Sequence, residues 1–253
     1  MQSLTNTSDK SHVPCRGART LVVSVATLVA GFVPLSEAAP RSAHSDQPTY
    51  TSAEDASGAL LHALLSGNER AVQEVLGGDH ELVSCADAAA DQRDRELFVQ
   101  KYQQMHRLAR QSDGTKILYI GAENWPFPVP LVASNGAWRF DSNAGAREVL
   151  FRRIGENEIT VLQTLHAGEV TESHAVPYHG YYFRIVSRSP QGFAAVAYPA
   201  AYRSSGVMTF VITPSKAVYE KDLGPAGTQT AKTMSEINTD SSWAPADEAA
   251  ASP

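Results

Sequence analysis

Between Trp125 and Asp141 the chain reads Trp-Pro-Phe-Pro-Val-Pro-Leu-Val-Ala-Ser-Asn-Gly-Ala-Trp-Arg-Phe-Asp, and few backbone conformations suit it. The Asn135-Gly136 pair favours a type I′ turn, because both central residues of that turn need positive φ. The pair stands between two apolar, aromatic-rich arms, so the segment reads as a β-hairpin. Pro126, Pro128 and Pro130 have no amide hydrogen to give to a ladder, which puts the start of the hairpin on a sheet edge. Trp125, Trp138 and Phe140 are its expected structural anchors.

The amino-terminal residues carry an address rather than a fold. Arg16 and Arg19 precede a run without charge from Thr20 to Leu35, and small residues follow at Ser36, Ala38 and Ala39. That order is the one expected of a secretory signal peptide. The run is short for a membrane span, which needs about 20 apolar residues, and Pro34 breaks its end. Residues 1–38 are therefore expected to be a signal peptide cleaved after Ala38, with a periplasmic or secreted product. The alternative is an uncleaved amino-terminal anchor, and that segment would then be the chain's contact with the membrane.

Cleavage would remove three basic and two acidic residues, leaving 18 Lys and Arg against 25 Asp and Glu, a net charge of −7. No basic cluster or stripe survives, which argues against nucleic acid and anionic membrane surfaces as partners. Cys15 lies ahead of the apolar run, so Cys85 is alone in the mature chain and has no intramolecular partner. Its small neighbours supply no activating charge, and a structural role is expected.

Residues 39–50, rich in Pro and Ser, read as a flexible lead-in. Thr51 and Ser52 are each followed three residues later by an acid (Glu54, Asp55), as at a helix start. Ala56, Leu60 and Leu64 then share one helical face. Ser66-Gly67-Asn68 ends this helix and caps the next, Glu69 to Leu76, which Gly77-Gly78 terminates. Phe98, Tyr102, Met105 and Ala109 predict a longer helix from Asp94 to Arg110 with one buried stripe. A strand at Ile117 to Ile120 and the hairpin follow, then a helix from Ala144 to Ile154 that Gly155 breaks. Residues 51–158 form this helical and hairpin region. By analogy, helices followed by a hairpin with Gly-x-Trp-x-Phe-Asp are similar to the small cone-shaped α+β folds of nuclear-transport-factor type, which host unrelated functions.

Residues 159–177 read as a linker, within which Ile159 to Leu165 could extend a helix and Gly168 to Val176 is a loop. From Tyr178 to Trp243 the chain is β-rich. Tyr181 to Ser187, Phe193 to Tyr198, Val207 to Thr213 and Ala217 to Lys221 are separated by turn residues, as in an antiparallel meander. A helical turn or two is expected near Thr228 to Ile237, with Trp243 pinning the end and residues 244–253 as a disordered tail. The fold class is thus α+β, amino-terminal helices plus a hairpin and then a carboxyl-terminal antiparallel meander.

Five blocks in order carry a resemblance to a known family. They are Ala122 to Val132 with Trp138 to Asp141; Arg152-Arg153-Ile154-Gly155-Glu156-Asn157-Glu158; Pro177-Tyr178-His179-Gly180-Tyr181-Tyr182-Phe183-Arg184-Ile185; Gly206 to Val211; and Val218 to Gly224. The chain resembles the family called domain of unknown function 2950 (DUF2950) over most of residues 51–243. The resemblance implies an exported bacterial protein and supplies no reaction, substrate or catalytic residue. Relatives generally have a much longer segment, with a helix, between the second and third blocks, so the chain reads as an internally shortened member. The last hairpin usually turns through glycine, whereas Thr213-Pro214-Ser215-Lys216 stands here.

His166, His174 and His179, with Glu169 and Glu172 between them, lack the short ligand spacing of a zinc site, so no metal and no cofactor are expected. Tyr178, His179, Tyr182 and Arg184 form the candidate ligand-binding set: flat faces with polar ends and a planar cation suit carboxylate or sugar groups. The competing reading is that Tyr181, Phe183 and Ile185 pack a sheet while Tyr182 and Arg184 share its other face. No Gly-x-Ser-x-Gly elbow, Ser-x-x-Lys or His-Glu-x-x-His occurs, and Ser204-Ser205-Gly206 reads as a turn. Glu220 and Asp222 read as a solvated strand edge, and Arg152-Arg153 as basic residues at a helix carboxyl end.

These readings combine into an exported cell-envelope protein, a non-enzymatic binding or structural module for an envelope protein or cell-wall glycan. The alternative is a hydrolase acting on envelope glycan or peptide, with His179 as general base. A third reading has the Pro-rich hairpin edge, near Val132, pairing with other proteins.

Overall fold

The computed structural model describes residues 47–78 and 88–246. The signal segment, Cys15, Cys85 and most of the lead-in lie outside the described residues, as do residues 247–253. The described chain forms two compact units, 47–146 and 147–246.

In the first unit, α1 (Ala53–Leu65) starts at Ser52, whose Oγ accepts the Asp55 N–H at 3.0 Å. Glu54 and Asp55 in the first turn complement the helix dipole. α2 (Glu69–Leu76) starts at Asn68, whose Oδ1 accepts the Arg70 N–H at 3.0 Å, and ends at Gly77, φ 70°. α3 (Ala88–Gln104) brings Phe98 and Tyr102 against the sheet, but there the helical pattern is overruled. Residues His106–Arg110, expected as the helix end, are strand β1, paired residue for residue with β2 (Lys116–Ile120). The spacing of Met105 and Ala109 fits both periods, and the ladder to β2 satisfies more backbone groups than another helical turn would.

β3 (Trp125–Pro126) pairs with β2, and β4 (Leu131–Ser134) joins β5 (Ala137–Phe140) through Asn135, φ 53°, and Gly136, φ 78°. The type I′ hairpin is as the sequence predicts. Its proline-rich start, β3, pairs with β2 alone, but the edge expected near Val132 is not free: the order is β1-β2-β4-β5, so β4 is interior and Val132 is paired with Arg139. The outer side of β5 exchanges two backbone hydrogen bonds of 2.8 Å between Trp138 and Tyr50. Gln47 from the same lead-in donates its amide to Val75 O, Leu76 O and Phe140 O. The outer side of β5 is therefore covered at Trp138 by the chain's own lead-in.

Phe140 is fully buried with Leu131 and Val129 against Ala56, Leu60, Val72 and Leu76. Trp138 is half-buried beneath the Lys116 ammonium, 5.0 Å from its ring centre, and Trp125 stands edge-on to Phe127 at 6.4 Å.

The second unit begins within α4 (Ser142–Ala167), which runs straight through Gly155. A lone glycine costs a helix only about 1 kcal/mol relative to alanine. Burial of Val161, Leu162 and Leu165 exceeds that, at about 1.5–3 kcal/mol for each large side chain. The expected linker 159–177 is thus the second half of α4 followed by β6 (Ser173–Tyr178).

β7 (Tyr181–Ser189), β8 (Gly192–Pro199), β9 (Thr209–Ile212), β10 (Val218–Lys221) and β11 (Ala244–Pro245) complete an antiparallel sheet ordered β11-β10-β9-β8-β7-β6. Its alternation separates two cores. Tyr181, Phe183, Ala195, Ala197, Phe210, Ile212 and Val218 pack with α4. Val196, Tyr198 and Val211 pack on the other face with α5 (Gly227–Thr233), Met234, Ile237 and Trp243. The start of the expected disordered tail is ordered: β11 pairs with β10, and Ala246 is buried, its N–H donating to Val218 O at 3.0 Å.

Candidate functional site

The α4-facing layer of the second sheet is apolar except at the end where β7 begins. There Tyr181, fully buried, points its ring along Phe210, with ring centres 6.0 Å apart. Its hydroxyl lies 3.1 Å from Glu158 Oε1 on α4 and 2.9 Å from Met208 O, so one proton serves two acceptors. The same Glu158 oxygen accepts the backbone N–H groups of Val207 at 2.7 Å and Met208 at 2.9 Å. On the same helix, Asn157, which precedes Glu158, donates to Ser205 O at 2.8 Å, and Arg153, just over one turn earlier, donates to Ser204 O at 3.3 Å. Three α4 side chains therefore hold the segment that links β8 to β9 through four backbone groups.

Two glycines allow this closeness. A Cβ on Gly206 would fall 2.0 Å from the Tyr181 hydroxyl, and one on Gly180 would fall 2.8 Å from both Asn157 Nδ2 and Ser205 Cβ. Gly180 also has φ 72° and follows His179 at φ 46°, which joins β6 to β7 in a second tight turn of positive φ. The linking segment is itself braced: Tyr202 donates to Asp222 at 3.1 Å, and the Ala201 N–H donates to Ser205 Oγ at 3.0 Å.

Glu220 completes the site from β10. It pairs with Phe210 in register and shares the α4-facing side with Val218. Burial, and then the Glu158 carboxylate, push its carboxyl above the usual glutamate range. Burial, followed by Glu158, likewise pushes the Tyr181 phenol far above its ordinary value, so it stays a hydrogen-bond donor. The reading of Glu220 as a solvated edge is overturned: Glu220 is half-buried, whereas Asp222 is exposed beyond the strand. Lys221 points to the other face, where it donates to Ser242 at 2.6 Å.

The set chosen from sequence does not converge. Tyr178 and His179 stand ring-edge to ring-face at 4.5 Å on the β6–β7 turn, Tyr178 about half exposed. Tyr182 and Arg184 lie on the opposite face of β7, under α5. Arg184 Nη2 donates to Ala231 O at 2.9 Å and to Met234 O, which satisfies carbonyls at the end of α5. Tyr182 packs on Tyr198 at 5.7 Å. Arg152 and Arg153 are mid-helix rather than at a helix end, with Arg152 donating to Glu148 at 2.8 Å. Among the described residues no three His, Cys, Asp or Glu gather as a metal site.

Sequence reasoning missed Glu158, Asn157 and the close approach at Gly206. A helix that ends at Gly155 stops short of Glu158, whose sheet-facing register appears only when α4 continues. The signals present were two glycines, Gly180 and Gly206, each directly before a strand segment with buried aromatic residues, Tyr181 and Phe210. What the arrangement does chemically is tie: an oxygen already accepting three donors is committed to the fold.

In comparisons with known proteins, the family model described as Protein of unknown function (DUF2950) matches residues 47–170 and 165–246. No curated protein and no solved structure matches the chain.

Proposed function

Since the chain belongs to the DUF2950 family of proteins of unknown function, no reaction comes to it by kinship, and we propose that it is an exported cell-envelope protein acting as a non-enzymatic binding or structural module. The Arg16, Arg19 and Thr20 to Leu35 pattern supports export. The observation that carries the binding reading is the contrast between the interior and the β6 edge. Glu158, Asn157 and Arg184 are spent on backbone groups inside the unit. Val176 is 74% exposed and Tyr178 47% exposed on the edge strand, beside His179. Exposed aromatic and apolar groups next to a rigid turn suit a partner envelope protein or a cell-wall glycan.

Two measurements test this. Amino-terminal sequencing of protein recovered from the envelope or medium should begin at Ala39; recovery only from the cytoplasm with Met1 in place overturns export. Affinity capture from native envelope, with muropeptide analysis of the bound material, should retain a ligand that the Tyr178→Ala variant loses while His179→Ala largely keeps it.

The hydrolase reading retains one supporting observation, a raised Glu220 carboxyl beside Glu158, since acid–base pairs rely on two carboxyls in unlike environments. Turnover of purified muropeptides that Glu220→Gln abolishes, with folding intact, would favour it over the binding module.

A further inference from the structure

Among the described residues, β5 is bridged at Trp138 by the lead-in, whereas β1, the other outer strand of the first sheet, pairs with β2 alone. The Gly121 N–H donates to Met105 O at 2.9 Å and the Gln111 N–H to Thr115 O at 2.8 Å. These two bonds fix the phase of the ladder. Hydrogen-bonded residues alternate along an antiparallel pair, so Arg107 and Ala109 are the ones bonded to β2. The N–H and C=O groups of His106, Leu108 and Arg110 therefore face away from the sheet, where no other described strand meets them.

Such an edge is a template for another strand unless something blunts it. β1 carries no proline, and its five residues pair with β2 without a shift in register. Two of its basic side chains are turned back onto the chain itself. Arg107 lies over the Tyr119 ring of β2, 4.3 Å from its centre, and its Nε donates to Asn124 Oδ1 at 2.8 Å. His106 stacks on Tyr102 at 3.9 Å, with Nδ1 3.0 Å from the Tyr102 carbonyl oxygen. Between them Leu108 is only half-buried.

Charge selects the occupant. Arg110 is exposed and has no ion pair among the described residues, while the acids of this region are engaged. Asp113 on the β1–β2 turn accepts from Thr115, Glu123 pairs with Lys101, and Glu54 pairs with Lys116. Arg107 and Arg110 thus make a positive edge on a chain whose net charge is −6. A second copy is a poor fit. Antiparallel pairing centred on Leu108 would set His106 against Arg110 of the copy and Arg107 diagonal to its counterpart, and like charges across strands are destabilising.

We propose that β1 is a docking edge for an extended acidic segment of a partner protein, which adds a strand beside it. In antiparallel register the segment places an apolar residue opposite Leu108 and carboxylates opposite Arg107 and Arg110. Its order is then acid, any residue, apolar, acid. This surface belongs to the first unit and stands independently of the β6 edge.

A capped polythreonine octapeptide with glutamate, threonine, valine and glutamate at its centre, titrated into the full chain, tests this by amide NMR and hydrogen exchange. The Leu108 and Arg110 amides should gain several-fold protection, while those of Arg107 and Ala109, already bonded to β2, should change little. A peptide with glutamine for both glutamates should bind about three- to tenfold more weakly, since each cross-strand charge pair contributes modestly. Arg110→Gln should weaken the acidic peptide about threefold and leave the glutamine peptide unaffected. Lys232→Gln, the same change of charge on α5, should alter neither. Absence of binding at millimolar peptide, equal binding of the two peptides, or protection without the alternation overturns the proposal. Self-association of the free chain that protects the same amides also overturns it, and assigns the edge to a second copy.

Discussion

The hydroxyl of Tyr181 occupies the space that any side chain at position 206 would need. A Cβ built on Gly206 falls 2.0 Å from that oxygen, although the two residues are 25 apart in the chain. The contact lets α4, β7 and the β8–β9 link meet at one point, and much of the second unit's polar interior follows from it.

Gly206→Ala should therefore destabilise the second unit by about 2–4 kcal/mol, because the buried phenol has nowhere to retreat without giving up Glu158 or Met208. Gly155→Ala is the matching control. Its Cβ meets nothing within 4 Å in the middle of α4, so it should stabilise by about 1 kcal/mol. Urea unfolding of both variants measures the difference, and a destabilising Gly155→Ala would mean that the helix does break there.

The pH dependence of stability should carry opposite signs at two glutamates. Glu220 is raised in the folded state, so the folded form binds the proton more tightly, and stability falls as pH rises from the ordinary glutamate range through the raised value. Glu220→Gln should match wild type at low pH and exceed its melting temperature near neutrality. Glu54 is lowered, by its own backbone N–H first and then by Lys116 at 3.0 Å, so its contribution is present above the ordinary range and fades as pH falls. It is exposed, so Glu54→Gln should produce only a small loss near neutrality. Thermal melts across pH check both signs.

Arg184→Met keeps the apolar stem and removes the donors that hold Ala231 O and Met234 O. Loss of charge-assisted bonds to half-buried carbonyls should cost about 1.5–3 kcal/mol. Amide exchange in α5 should accelerate more than exchange in β7. Unchanged α5 protection would return Arg184 to the ligand-binding role that its sequence context suggested.

The legible parts of this chain were those written in adjacent residues. Asn135-Gly136, the caps Ser52 and Asn68, the Gly77 stop and the alternation Tyr181-Phe183-Ile185 each specify structure through their own backbone preferences or period. Illegible were the places where a distant partner outweighed a local preference. His106–Arg110 left a helical pattern for the β2 ladder, Gly155 stayed helical because Val161, Leu162 and Leu165 had a sheet to cover, and Ala244–Pro245 was captured by β10. The site suffered most, since Glu158, Gly206 and Glu220 are far apart in sequence and unremarkable alone.

The sequence by itself determined the family, the α+β class and the hairpin that first marked it, because turn chemistry and hydrophobic period act over a few residues. Only the tertiary structure decided which strands are edges, that α4 is continuous, and that Glu158 rather than His179 gathers the polar contacts of the second unit. Those outcomes are set by burial and by the need to satisfy backbone groups across long separations, which neighbouring residues do not encode.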